Sequence, residues 1–170
     1  KPEVARMTSM FEVGMPVEKI RDRLLQIRAR NSAGRSLGFV MVPQGDDDTP
    51  IGMIGVAATP DGALELGYHL NPALWSQGPM TEAVDRVTGA VFALSRVDAI
   101  DAFVRPDNIA SRRVLEKCDF VVNGTTEHTS PVYGTYAVKR YTQKRSAPSP
   151  FVTAAARHAP KVPPLGFQLC

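Results

Sequence analysis

From Pro16 onward the apolar residues Val17, Ile20, Leu24 and Ile27 recur at steps of three and four, the spacing that lines one face of a helix. Asn31 and Gly34 supply the stop signal. Two short β-rich runs follow, SLGFVMVP (36–43) and IGMIGVAAT (51–59). The Gly, Asp and Pro of the intervening QGDDDTP predict an antiparallel hairpin. ALELGYHLN (63–71) alternates as a strand does. After a polar turn, Met80, Val84, Val87, Val91 and Leu94 return to helical spacing, with Pro79 suited to the first helical position. DAIDAFVRP (98–106) is another strand. A strand, a helix and a strand joined by turns form a βαβ unit, whose two strands must run parallel. DNIASRRVLEKCDF (107–120) supplies one more helix, and FVVNG (120–124) and YGTYAVKRYT (133–142) close the sheet as antiparallel strands. KPEVARMTSM carries no strand signal, and PSPFVTAAARHAPKVPPLGF is too broken by proline for a dependable helix.

These elements predict an α+β (mixed α/β) fold, with a central, mostly antiparallel sheet, one parallel strand pair and flanking helices. A chain of 170 residues, 44% hydrophobic and 22% charged, has material for one packed core. That core is assigned to residues 1–142, with 143–170 as a basic, Pro-rich tail. No apolar run approaches the roughly 20 residues a membrane-spanning helix needs, and the start lacks the apolar stretch of a signal peptide. A cytoplasmic protein with no membrane partner is expected. Cys118 and Cys170 fit neither a disulfide framework nor a metal site and read as free thiols. The three aspartates at 46–48 lack convergent partners and read as a solvated loop, so no metal is expected. The net charge of +3 hides an asymmetry: from Lys139 onward there are six basic residues and no acidic one, which leaves the body at a formal −3. Such a tail reads as a solvated terminus. With no aromatic interleaving or long basic run, nucleic acid is disfavoured as a partner.

Candidate chemistry begins in the turn WSQGPMTEAV (75–84). With Gly78 as N-cap and Pro79 at the first helical position, the amides of Gln77, Gly78, Met80 and Thr81 have no helical partner. Together with the positive end of the helix dipole they suit an anion. Glycine at 78 allows close approach, and the Thr81 hydroxyl can add a donor. Many helices start this way with only water bound. Neither a GK[ST] phosphate loop nor GxGxxG is present, which disfavours nucleotide hydrolysis and hydride transfer. In NIASRRVLEK (108–117), Ala110, Val114, Leu115 and Cys118 form an apolar stripe with Ser111 inside it. An inward hydroxyl either bonds its own helix backbone or faces a ligand beside the helix. Asn108 is equally an N-cap or a ligand contact.

Together, LGYHLNPALWSQGPMTEAV and VRPDNIASRRVLEKCDF resemble the GCN5-related N-acetyltransferase (GNAT) family, in particular its RimJ/RimL-like branch of ribosomal-protein acetyltransferases. The first stretch is similar to the family's acetyl-CoA pyrophosphate loop and the second to an NxxSxxVxEKxGF pattern. The likeness is continuous from Ile51 to Phe120 and weaker back to KPEVARMTS and forward to Tyr141. It implies an enzyme, active as monomer or homodimer, that carries an acetyl group from acetyl-CoA directly to an amine: a protein N-terminus, a lysine or a small amine. It also implies that strands 64–71 and 99–106 splay apart, with the pantetheine arm paired to backbone near Leu70. The cofactor-binding residues would be Leu70, Asn71, Gln77, Gly78, Met80, Thr81, Asn108 and Ser111.

On the same resemblance, a backbone N–H near Leu70 would hold the oxyanion and Ser111 would protonate or hydrogen-bond the departing thiolate. The tyrosine that other branches use aligns with Leu115, which cannot do that work. Glu65 and His69, alternating with Gly67 on one strand face, are alternatives for the general base. Glu127 and His128 lie near where some relatives carry an acidic base, although Ser130 aligns best there. Met80 replaces a small residue of the loop, and Asp119 replaces a glycine at a position where aspartate tolerates left-handed backbone. The family's first strand and helix are not recognisable before Lys1, which motivates a second reading: a catalytically degenerate GNAT-fold protein that binds acyl-CoA or a partner without turnover.

Overall fold

The computed structural model describes residues 1–8, 11–46, 49–130 and 133–146 and the backbone of 165–169. Strands β1 (Ser36–Pro43), β2 (Gly52–Ala58), β3 (Leu64–Leu70), β4 (Ala99–Val104), β5 (Val121–Ser130), β6 (Gly134–Lys144) and β7 (Leu165–Leu169) form one sheet in the order β5-β6-β4-β3-β2-β1-β7. Every neighbouring pair is antiparallel except β3 and β4, the predicted parallel pair. The helices are α1 (Pro2–Ala5), α2 (Val17–Ser32), α3 (Pro79–Leu94) and α4 (Ile109–Lys117). None is long and apolar enough to cross a membrane.

Alternation along the strands decides which residues meet which helices. Ile54 stands opposite Tyr68 and Val56 opposite Leu66. With Leu70, Ile100, Ala102 and Val104, the apolar members of this face pack against Met80, Ala83, Val84, Val87 and Val91 of α3 and Leu115 and Cys118 of α4. Each fully buried side chain of the size of Ile54 or Ile100 contributes roughly 1.5–3 kcal/mol relative to exposure. The opposite face carries Met53 beside His69, Gly55 beside Gly67, and Ala57, Glu65 and Asp101 in one row. There α2 lies across β1. Asn31, read from sequence as a stop signal, accepts hydrogen bonds from Gly38 N (3.0 Å) and Ser36 Oγ (2.8 Å) and donates to Gly38 O (3.1 Å), so it pins the helix to the strand.

Several expectations are corrected. The α3 stripe ends at Val91, because Leu94 near the helix end is 87% exposed. Ala110 is exposed rather than buried with Leu115. No residue of α2 is fully buried, and Val17 is exposed. β5 runs to Ser130, well past Gly124. Its residues from Val121 to Glu127 are exposed on both faces, so there is no alternation to read, and a register shift between Val122 and Thr125 interrupts the pairing. The opening residues, which carry no strand signal, form the short helix α1. β6 continues past 142, and residues 165–169 pair with Phe39–Pro43 as an edge strand. Asp119 adopts φ +60°, the left-handed conformation expected for it. Asp47 and Asp48 of the aspartate run, the proline-broken stretch up to 164, and Cys170 lie outside the described residues.

Candidate active site

Strands β3 and β4 share a single register pair, Glu65 with Asp101, and separate beyond it. A cavity of about 970 Å³ passes through this opening and reaches both faces of the sheet. On the helix face it is lined by Tyr68, the start of α3 and the first half of α4; on the other face it is lined by Glu65, Gly67 and His69. Ala110, Ser111 and Val114 of the predicted apolar stripe line this space, which is why the stripe is only partly buried.

The turn leading into α3 is wound tightly by its own side chains. Asn71 Oδ1 accepts from Ala73 N (3.2 Å), its backbone N–H donates to Ile51 O (2.8 Å), and the Trp75 indole donates to Leu70 O (3.1 Å). Ser76 and Gly78 are left-handed at φ +61° and +103°. Gly78 is the N-cap of α3, Pro79 follows it, and no side chain caps the helix. Among the described residues no acceptor meets the backbone N–H of Gln77, Gly78, Met80 or Thr81. A Cβ built on Gly78 meets nothing within 4 Å, and Gly78, Met80 and Thr81 line the cavity. The Met80 side chain turns into the core, which leaves only its backbone at the cradle. The Gln77 side chain folds back to Ala73 O at 2.8 Å.

At the start of α4, Asn108 Oδ1 accepts from Ser111 N (3.1 Å) and caps the helix. The Ser111 hydroxyl lies 2.8 Å from the Tyr68 hydroxyl, which also stands within 3.2 Å of Ser111 O. Burial pushes the Tyr68 phenol well above the ordinary tyrosine value, and its bond to Ser111 opposes that shift. On the opposite face, burial raises the Glu65 carboxyl, with His128 pulling it down and Asp101 pushing it up. Burial alone lowers His69, whose ring stands edge-on to Phe11 at 5.5 Å. Behind Glu65, Asp101 is held by Arg140 Nη2 and Thr142 Oγ1, both at 2.6 Å.

Residues 1–121 match the family described as "Acetyltransferase (GNAT) domain". The chain belongs to the GNAT acetyltransferase family. It is 32% identical over 123 residues to the probable N-acetyltransferase YjcK of Bacillus subtilis, covering 71% of this chain and 67% of that protein. Its fold is shared with Mycobacterium smegmatis RimJ in complex with CoA-disulfide (TM-score 0.70, 22% identity, 84% and 70% of the two chains covered). It is shared equally with the Salmonella typhimurium acetyltransferase that modifies the N-terminal serine of ribosomal protein L7/L12 (TM-score 0.71, 17% identity, 85% and 82% covered).

Within this GNAT fold, Leu70, Gly78, Met80, Thr81, Asn108 and Ser111 border the cavity on one side and Glu65 and His69 on the other. Asn71 and Gln77 hold the turn by their side chains rather than lining the cavity. Glu127 is exposed on β5 and does not line it, whereas His128 does; the buried Ser130 accepts from Tyr133 N at 3.3 Å. Sequence reasoning missed Tyr68. The signal was its place in the alternation Leu66, Tyr68, Leu70, which puts a phenol on the same face as α4.

Proposed function

We propose that this GNAT chain transfers an acetyl group from acetyl-CoA to an amine, with the cradle at the start of α3 holding the diphosphate and the gap between β3 and β4 holding the pantetheine arm. The observation that carries the reading is the open cavity running from the unpartnered amides of Gly78, Met80 and Thr81 to the point where the parallel strands part. When bound, acetyl-CoA supplies the acetyl group as a thioester. Gln77, Gly78, Met80 and Thr81 contribute backbone donors, and the unpaired strand edges past Glu65 and Asp101 suit an amide-rich chain. Ser111 would face the thioester end, where its hydroxyl would hydrogen-bond the departing sulfur. Tyr68 stays protonated because burial disfavours its phenolate, and it positions Ser111 as a fixed hydrogen-bond partner. Glu65 serves as general base in preference to His69, whose ring is packed against Phe11. Its burial strengthens its hold on a proton, which suits that task.

Residues 1–142 would form the acetyltransferase domain, with 143–170 an appended basic segment that also edges the sheet through β7. The ribosomal-protein acceptor named for the Salmonella neighbour supports a cytoplasmic setting, and the chain would act as a monomer or homodimer.

Calorimetry with coenzyme A and acetyl-CoA, beside a thiol-release assay over a panel of amines, tests the reading. Wild type should bind both and release thiol. Gly78→Glu places a carboxylate against the diphosphate, a like-charge clash of several kcal/mol, and should weaken binding at least about a hundredfold. Gly78→Ala, which adds the backbone strain of φ +103° without charge, should weaken it far less. Normal coenzyme A affinity in Gly78→Glu would put the cradle elsewhere. Binding by wild type without turnover of any amine would favour the catalytically degenerate reading.

A further inference from the structure

Gly67 occupies the middle of β3, on the face that carries Glu65 and His69, each about 6.7 Å away along the strand. Glycine weakens a strand interior, so its presence there needs a cause. Elsewhere in the sheet the protein supplies one. A Cβ on Gly38 would stand 2.8 Å from Ile27 Cγ2, one on Gly55 2.8 Å from Leu37 O, and one on Gly52 2.5 Å from His69 O. At Gly67 no such cause exists: a Cβ would meet nothing within 4 Å, and its φ lies outside the left-handed region. The position is exposed to the cavity, just past the last register pair between β3 and β4. What the missing side chain preserves is therefore space in the cavity, beside the opening and between the two candidate bases.

We propose that Gly67 is a specificity-determining residue: the acceptor nitrogen is delivered over it, and the substituent on the carbon next to that nitrogen occupies the space a side chain at 67 would fill. The site then takes α-substituted primary amines, such as a peptide α-amino group on a residue with a side chain. One added methyl at 67 separates these from unsubstituted amines. This inference rests on the acetyl-transfer reading above, and its test separates the two.

Gly67→Ala and Gly67→Val would be assayed for thiol release with two short peptides differing only in an N-terminal alanine or glycine, and for coenzyme A affinity and melting temperature. Valine suits a strand and alanine orders it more readily than glycine does, so melting temperature should hold or rise. Coenzyme A affinity should stay within about twofold, the loss expected of a group that touches only the acceptor. Gly67→Ala should lower kcat/KM for the alanine peptide about tenfold relative to the glycine peptide, the usual effect of one misplaced methyl, with a larger ratio for Gly67→Val. An unchanged ratio, an equal loss on both peptides, or a fall in coenzyme A affinity overturns the assignment of Gly67 alone. A wild type that turns over neither peptide nor any other amine overturns the acetyl-transfer reading and this proposal with it.

Discussion

Ser111 and Tyr68 can be separated by a double-mutant cycle, because their hydrogen bonds are unequal. The phenol has two partners within the same residue, Oγ at 2.8 Å and the backbone carbonyl at 3.2 Å. Ser111→Ala removes only the first, so the buried phenol keeps an acceptor and stability falls by well under about 1 kcal/mol. Tyr68→Phe removes both. With one proton shared between them the loss is about 1 kcal/mol, a fall of about 2–4 °C in melting temperature for a chain of this size. Turnover should follow the reverse order. Losing the hydroxyl that meets the departing sulfur should lower kcat about a hundredfold, within the range for a positioned proton donor, whereas losing its orienting partner should cost about tenfold, or 1.4 kcal/mol of barrier. If Tyr68 works only through Ser111, adding Tyr68→Phe to Ser111→Ala costs nothing further in kcat. Thiol release at saturating acetyl-CoA and acceptor, with thermal melts on all four proteins, reads both quantities. Additive losses in kcat would refute the coupling and give Tyr68 a separate role.

Three further outcomes follow from the opposite face. Burial raises the folded-state value of Glu65 above the ordinary 4.5, so the native protein binds that proton more tightly than the unfolded chain. Its contribution to stability then falls as pH rises from 4.5 through the raised value, and Glu65→Gln should gain melting temperature over wild type at pH 7 but not at pH 4. The same variant should lose the acid-side limb of the kcat/KM profile; a limb that survives would exclude Glu65 as the base. Asp101→Ala removes the acceptor of the buried Thr142 hydroxyl, which keeps only the bond from Asn123, and frees Arg140; it should cost about 1–3 kcal/mol, read as a lower urea midpoint at unchanged slope.

How much of this was legible in the sequence varies with the physics of each element. The βαβ unit was, because Met80, Val84, Val87 and Val91 bury one face of α3 and because Gly78 and Pro79 mark its start. The unpartnered amides at the helix start followed from the same two residues. The start of β5 was read as a strand, but its extension past Gly124 was not legible, since a strand exposed on both faces has no alternation to detect; neither was β7, whose pairing with β1 is a long-range choice. The Ala110 error has a different cause. Helical spacing correctly grouped Ala110, Ser111 and Val114 on one side of α4, but a period cannot distinguish a face turned to the core from one turned to a cavity. Tyr68 was overlooked for a related reason: alternation puts it on the same strand face as Leu66 and Leu70, and only the three-dimensional meeting of β3 with α4 shows that its hydroxyl ends on Ser111.

The single bridge between β3 and β4 connects these observations. A parallel pair inside a sheet normally continues its ladder, and stopping after one pair leaves backbone donors and acceptors along two strand edges. The separation is sustained on both sides. Asp101, the β4 member of the bridge, is tied to β6 through Arg140 and Thr142, while β3 is fully registered with β2 from Leu64 to Leu70. The Trp75 indole on Leu70 O then fixes the far end of β3 against the turn that carries the cradle. These bonds fix β3 and β4 to their outer neighbours on either side of the gap, which is part of the folded sheet. A ligand rich in amides can satisfy the exposed edges without first prying the sheet open, which keeps the ordering cost of binding low.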